Sequence, residues 1–270
     1  MSNSHLELML YLYGQYGSKS QRRMNYYLKK YLKKHTYNHF DIKAVLFDMD
    51  GILYDSMPAH ASSWQDTMVE FGYNSTNHIE FYLHEGRLGT STIHIITERE
   101  FNRKATKEEE QRIYARTTEL FQQYNSGAIM PGAKEVLNLV KAKGLTPVLV
   151  TGSGQPSLLD RLDTHFPGIF TPGTMVTAFD VVNGKPDPEP FLMGLEKGGN
   201  LKPNQAIVIE NAPLGIEAAV AAGIFTIAVN TGPLSDAILK EAGASLVFDT
   251  MTTLRAELPG VLSIIENISL

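Results

Sequence analysis

From Pro131 onward, short apolar runs alternate with helical patterns, and that rhythm restricts the chain to few architectures. Thr146–Val150, a segment around Met175–Ala178, Ala206–Glu210, Phe225–Val229 and Ser245–Phe248 are β-branched and apolar and read as buried strands. Between them, helical spacing bounded by Gly or Pro predicts helices over Gly132–Lys143, Pro156–Phe166, Pro190–Lys197, Leu214–Ala222 and Asp236–Ala242. Strands alternating with helices predict a parallel sheet covered on both faces, a Rossmann-like doubly wound α/β fold. Ligands in such sheets sit at the carboxyl ends of the strands.

One further strand precedes this series. In Lys43 to Ser56, KAVLFDMDGILYDS, the buried run Ala44–Phe47 ends on Asp48 and Asp50. Residues two apart in extended chain face the same side, so both carboxylates point at one pocket. Gly51 turns the backbone away without adding a side chain. A nucleophile beside a proton carrier is one use of such a pair, and a solvated acidic turn is the other.

Between this strand and the rest, residues 57–127 change character. Apolar residues recur three and four apart, as in Trp64, Met68 and Phe71 or Ile113, Leu120, Phe121 and Tyr124, and no strand pattern occurs. An all-helical insertion of four-helix size is predicted, with Ser56 and Pro58 in the cap and first-turn positions of its first helix. Residues 41–56 and 128–270 then make the α/β core. Two crossings close to the first strand would let the insertion swing over the site.

The chain has 270 residues, enough for one domain with an insertion, and its 43% hydrophobic and 20% charged content suits a globular protein. No apolar run has the length of a membrane span. With no cysteine, disulfides, thiolate metal sites and a cysteine nucleophile are excluded, and a cytoplasmic location is expected. Residues 1–40 hold seven Lys and Arg against Glu7 alone, leaving the remainder with a net charge of −11. An acidic body argues against nucleic acid as a partner. Residues 24–40 predict an amphipathic helix carried by Met24, Tyr27, Leu28, Tyr31 and Leu32 with lysines opposite. Residues 1–23 show no comparable pattern; Leu6 to Tyr13 is apolar but lacks the flanks of a signal peptide.

Three more stretches bear chemistry at predicted strand ends. Thr151, Gly152 and Ser153 follow the strand ending at Val150, where a hydroxyl and loop amides can donate to an anion. Lys185 is presented from Asn183-Gly184-Lys185-Pro186-Asp187-Pro188, a turn stiffened by two prolines. Glu210 and Asn211 end a third strand.

Taken together, DMDG, the Thr151 turn, GKPDPEPF and the Glu210-Asn211 end resemble, in order, the four motifs of the haloacid dehalogenase superfamily of phosphotransferases. The insertion resembles the helical cap of its β-phosphoglucomutase-like subfamily, which includes sugar-phosphate phosphatases. The resemblance implies Asp48 as covalent nucleophile and Asp50 as general acid and base. It further implies Thr151, Gly152, Ser153 and Lys185 around the phosphoryl group, and Mg²⁺ held by Asp48, Asp50, Glu210 and Asn211. Where the family usually has two acids, this chain has Glu210 followed by an amide, a neutral oxygen donor. His60, ten residues after Asp50, matches a hinge histidine of the mutases. His84 to Gly89 sits where the subfamily carries a substrate loop; there Arg87 can hold an anion, although the mutase's Lys-Gly and Ser-Arg pattern is missing. The expected activity is Mg²⁺-dependent hydrolysis of a small phosphorylated metabolite. A sugar-phosphate mutase is the alternative, and a non-catalytic phosphate binder a remote one.

Overall fold

The computed structural model describes residues 19–154 and 156–270, which form two compact units. The smaller holds residues 19–40 and 259–270. Its helix α1 (Lys19–His35) buries Met24, Leu28, Tyr31 and Leu32 and exposes Lys29, Lys30, Lys33 and Lys34. The Tyr31 ring stacks on Phe40 with centroids 5.1 Å apart, and His39 bridges to Ser269. The helix starts five residues before Met24 and stops at His35 rather than reaching residue 40. Its added first turn carries only polar and basic residues after Lys19, which suit a helix but give periodicity nothing to detect. The apolar stretch Leu6 to Tyr13 lies outside the described residues.

The larger unit, residues 41–258, starts with strand β1 (Ala44–Phe47). Four helices follow: α2 (Met57–Glu70), α3 (His78–Leu83), α4 (Gly89–Phe101) and α5 (Lys107–Tyr124). They have their own apolar centre, including Met68, Phe81, Ile93, Ile96 and Ile113. Two local devices delimit them. The Thr106 side chain and Glu109 form a reciprocal capping box at the start of α5, and Asn77 caps α3 by accepting from the Glu80 amide.

The chain then alternates through α6 (Ala133–Ala142), β2 (Thr146–Val150), α7 (Pro156–His165), β3 (Met175–Val176), α8 (Glu189–Lys197), β4 (Ala206–Glu210), α9 (Pro213–Ala221), β5 (Phe225–Val229), α10 (Asp236–Glu241) and β6 (Leu246–Phe248). All six strands are parallel, in the order β3-β2-β1-β4-β5-β6. The β3 segment is shorter than expected because Thr177 leaves the ladder: its amide and hydroxyl both donate to the Asp180 carboxylate. A final helix, α11 (Met251–Asn267), has no counterpart in the sequence reading, since Pro259 and Gly260 read as breakers. It buries Met251, Leu254 and Leu258 in this unit at helical spacing.

Every residue of β1, β4 and β5 is buried, as a sheet covered on both faces requires. Leu46 lies in a cluster with Val148, Val150, Phe191 and Val208. In the ladder Phe47 pairs with both Leu149 and Ile209, so β1, β2 and β4 end side by side. The strand order reverses beside β1, with β2 and β3 on one side of it and β4, β5 and β6 on the other, which opens a crevice beyond those ends. Leu46→Ala is expected to destabilise the protein by about 2–5 kcal/mol through the cavity it leaves. Chemical denaturation would register this as a lower midpoint with an unchanged m-value.

Candidate active site

The crevice gathers residues far apart in sequence. Asp48 and Asp50 leave β1, and both are buried. Asp48 Oδ1 accepts from Lys185 Nζ at 2.6 Å, and the same ammonium donates to Glu210 Oε2 at 2.7 Å. Lys185 is itself buried and lies over the Phe191 ring, 5.2 Å from its centroid. Its turn is held from α8, where the Glu189 carboxylate accepts the Val182 and Asn183 amides, each at 2.8 Å. The lysine therefore projects from a fixed backbone into the space between two strand ends.

Burial, and then the Glu210 charge, push the Asp48 carboxyl up to about 8 against the pull of Lys185. Burial likewise works against the Lys185 ammonium, yet the two carboxylates outweigh it and hold the lysine above its ordinary range. Asp50 has different surroundings. Its Oδ1 accepts from the Ser56 hydroxyl at 2.5 Å and lies 3.2 Å from His60 Nε2. Burial opposes its charge, but His60, Ser56 and Lys185 together keep the carboxyl below its ordinary value. Two carboxylates two residues apart are thus pushed in opposite directions, a division that suits separate roles.

Glu210 contributes differently from the expected metal ligand. Its Oε1 accepts the Asn211 and Ala212 amides at 2.9 and 3.1 Å, and its Oε2 holds Lys185. Both oxygens are engaged, which makes it an anchor for the lysine. Space for it comes from Gly215 on α9, where a Cβ would lie 1.9 Å from Glu210 Oε2. The oxygens suited to a cation are elsewhere: Asp48 Oδ2 and Asn211 Oδ1 are buried without a hydrogen-bond partner among the described residues. Two unpartnered hard oxygens beside an excess of negative charge fit a small divalent cation such as Mg²⁺. A positive charge there would also favour ionised Asp48. No group of three His, Asp or Glu side chains forms a metal cluster among the described residues, so any cation needs carbonyl, phosphate or water oxygens as well.

The anion cradle departs from expectation at one atom. Thr151 is buried at the end of β2, and its Oγ1 accepts the Ser153 amide at 2.9 Å. That amide is spent locally, and the hydroxyl hydrogen of Thr151 remains a donor for a ligand. Gly152 is enforced by crowding, because a Cβ there would sit 2.6 Å from the Gly86 carbonyl oxygen of the helical insertion.

A cavity of about 60 Å³ lies between the strand ends and the insertion, lined in part by Asp50, His60, Glu85, Arg87, Gly152 and Ser153. His60 stacks on Phe121 at 4.1 Å, which fixes its ring beside Asp50. Arg87 is half-buried and its Nε is without a partner. Trp64, Phe81, Thr92 and Tyr114 complete the insertion's wall. Burial first, then Asp50 and Asp48, raise the Glu85 carboxyl well above its ordinary value.

Several of these contributors escape a reading by motif. Ser56 occupies the N-cap position of α2 but makes no cap bond, because its hydroxyl goes to Asp50. Glu189 bonds the Val182 and Asn183 amides and Gly215 makes room for Glu210, roles that residue type and spacing alone do not signal. The Trp64 spacing marks it as core, and it is half-buried at the edge of the cavity.

A capped, doubly wound α/β enzyme with two buried carboxylates just past the end of its central strand is the class that fold and site define together. Comparison with known proteins gives the family: the model of the haloacid dehalogenase-like hydrolases matches residues 45–229, and the chain belongs to that family. It is 32% identical over 219 residues to the phosphorylated carbohydrates phosphatase of Thermotoga maritima, covering 75% of this chain and 92% of the relative. Hexitol phosphatase A of Escherichia coli is 31% identical over 191 residues, covering 70% and 83%. A solved structure from Bacteroides vulgatus described as "Putative beta-phosphoglucomutase" is 52% identical with a TM-score of 0.87, covering 91% of this chain and 99% of that one.

Gly215→Ala is expected to displace the Glu210 carboxylate and release Lys185, since no side chain fits the space now occupied. Turnover should fall at least about tenfold, the scale of losing one preorganised electrostatic contact. Steady-state kinetics alongside a circular dichroism spectrum would separate this effect from unfolding.

Proposed function

We propose that this enzyme is a Mg²⁺-dependent phosphohydrolase of small phosphorylated metabolites, sugar phosphates in particular, working through an aspartyl phosphate on Asp48. The observation that carries the reading is the Asp48 carboxylate, buried at the end of the central strand, anchored through one oxygen by Lys185 and presenting the other without a partner among the described residues. The names of the Thermotoga and Escherichia relatives support a phosphorylated carbohydrate or polyol as substrate.

Asp48, Asn211 and the Asp50 backbone carbonyl would hold Mg²⁺, which supplies positive charge against the phosphoryl oxygens. Thr151 and Lys185 orient the phosphoryl group. Asp48 attacks phosphorus, the bond from phosphorus to the alcohol oxygen breaks, and the proton carried by Asp50 passes to the leaving oxygen. His60 Nε2 lies 3.2 Å from the Asp50 carboxyl that carries this proton. In the second half Asp50 takes a proton from water as the water oxygen attacks the aspartyl phosphate. The bond from phosphorus to Asp48 breaks and inorganic phosphate leaves. The cavity is well below the roughly 300 Å³ or more usual for ligand pockets, so the helical insertion must swing open to admit substrate.

Mutase activity is the second reading, and the Bacteroides relative and the His60 contact with Asp50 favour it. A mutase has to grip the distal phosphate of a bisphosphate while the other group reacts. Among the described residues lining the cavity, Arg87 is the only Arg or Lys. Arg116 on α5 is half-buried and bonded to Glu70 and Glu119 at 2.8 Å each. That balance favours release of phosphate to water.

Assays over phosphorylated sugars and polyols, with and without Mg²⁺, test the proposal. Free phosphate should accumulate, and Asp48→Asn should retain the fold while losing roughly 10⁴-fold in turnover. Rapid glucose 6-phosphate formation from β-glucose 1-phosphate with a trace of the 1,6-bisphosphate, without free phosphate, would establish the mutase instead.

The raised Asp48 carboxyl also makes stability depend on pH. A carboxyl raised in the folded state stabilises fully only below its unfolded value near 4, and the contribution is lost as the pH climbs through about 8. Asp50, held low, acts in the opposite sense but only below about pH 4. The melting temperature of metal-free protein should therefore fall by several degrees between about pH 5 and 8.5. Added Mg²⁺ competes with the proton for Asp48, so the stabilisation it gives should grow over the same interval. Thermal scans at fixed Mg²⁺ would decide; a metal effect independent of pH would contradict the ligand assignment.

A further inference from the structure

The turn that follows Asp50 is tied to the core at a point that the catalytic steps do not use. Thr231, two residues past the end of β5, donates its hydroxyl to the Gly51 carbonyl at 2.7 Å across 180 residues of chain. The other end of Gly51 is held too, because its amide donates to the Tyr54 carbonyl at 2.8 Å. Between these bonds its Cα lies against a third group. A Cβ there would be 2.2 Å from the Asn211 side-chain nitrogen and 3.1 Å from the Thr231 hydroxyl oxygen. The φ of +83° suits glycine, the residue whose backbone has the widest freedom unless its two peptides are bonded.

The Gly51 amide and the Asp50 carbonyl belong to one planar peptide, so bonding the first aims the second. The Gly51 carbonyl belongs to the next plane, and Thr231 fixes that one. Together they set the course of the backbone from Asp50 to Tyr54. Thr231 can serve as an anchor because its own loop is stiff. The Asn230 amide donates to the Phe248 carbonyl at the end of β6 at 2.7 Å, and its side-chain nitrogen donates to the Leu234 carbonyl and the Asp236 carboxylate at 2.9 Å each. The helical insertion lies over the next residue, where a Cβ on Gly232 would be 3.1 Å from the Tyr82 ring of α3. Thr231 is half-buried, so without its hydroxyl the Gly51 carbonyl would be left partly shielded from water and unbonded. Rotation of the Gly51 peptide relieves that cost, and Asp50 moves with it. Thr231 does not line the cavity and bonds to backbone, so its effect on the reaction passes through this turn.

We infer that Thr231 is a positioning residue: its hydroxyl locks the Gly51 peptide and thereby holds the Asp50 carboxyl where it gives a proton to the leaving oxygen and takes one from water. The inference rests on the phosphatase reading and adds to it a residue outside the cavity.

The test compares wild type with Thr231→Val and Thr231→Ser on whichever of a panel of phosphorylated sugars and polyols wild type hydrolyses best, at saturating Mg²⁺. kcat and KM are measured separately, beside circular dichroism and the hydrogen exchange of residues 49–54. Thr231→Val keeps the branched shape and removes the donor. Its kcat should fall about 10- to 100-fold, the scale of misplacing a reacting group by about 1 Å, with KM near that of wild type. Exchange of residues 49–54 should quicken in the same variant. Thr231→Ser keeps the hydroxyl and should restore both. Where Thr231→Val does not keep the wild-type circular dichroism spectrum, Thr231→Ala takes its place with the same expected result. A threonine that only supports the fold would lower the melting temperature and leave kcat of the folded enzyme unchanged. Wild-type kcat or wild-type exchange in the variant without a hydroxyl overturns the inference, as does a Thr231→Ser that loses as much; each leaves the phosphatase reading intact. Wild type that releases phosphate from none of the panel overturns that reading, and the inference with it.

Discussion

The buried bridge from Lys185 to Asp48 and Glu210 is the interaction on which the rest of the structure turns. Bringing one ammonium and two carboxylates out of water is costly, and mutual attraction offsets the cost only when geometry is good and remaining oxygens are bonded. Each surrounding feature supplies part of that requirement. Parallel pairing of β1 with β4 sets the two acids at adjacent strand ends. Backbone amides of Asn211 and Ala212 satisfy the second Glu210 oxygen, and Gly215 leaves it room. One oxygen is left over. Among the described residues Asp48 Oδ2 has no partner, and with both carboxylates ionised the triad carries one negative charge more than it balances, so its incompleteness points at whatever the site binds.

Opposite shifts on Asp48 and Asp50 follow from what each faces. Asp48 shares its single cation with Glu210, whereas Asp50 is met by a hydroxyl and an imidazole from the start of the helical insertion. Ser56 and His60 lie one turn apart on the chain entering α2, so the element that covers the site also tunes one of its acids. Movement of that segment would alter the surroundings of Asp50 and leave those of Asp48 unchanged. On the proposed mechanism, closure of the insertion and proton transfer would be connected through these two side chains.

Much of this was legible before any coordinates. The alternation of strands and helices implied the parallel sheet, and the position of polar residues at strand ends located Asp48, Asp50, Thr151, Lys185 and Glu210 in one crevice. Such signals are local, being short apolar runs with punctuation. What stayed hidden depended on three-dimensional proximity. Nothing near Glu210 says that both its oxygens are occupied, because one partner, Lys185, comes from a turn 25 residues away. Ser153 was expected to offer its amide, which an internal bond to the Thr151 hydroxyl consumes. Helix α11 was missed because Pro259 and Gly260 mask a buried stripe that continues on both sides of them.

Two glycines show how chemistry and selection are divided between sheet and insertion. Gly152 belongs to the phosphate cradle and Gly86 to the loop above it, and each leaves space that the other side uses. A side chain at Gly152 would meet the Gly86 carbonyl; one at Gly86 would meet the Lys185 stem. The contact between insertion and core is thus made through backbone and a lysine that cannot move without breaking the buried triad. Residues flanking Gly86 on the loop inherit that fixed reference. Glu85 and Arg87 can then vary in charge without touching the cradle, since neither supplies a bond that holds the triad together. At the sheet ends most of the buried oxygens are bonded, while Asp48 Oδ2 and Asn211 Oδ1 have no partner among the described residues.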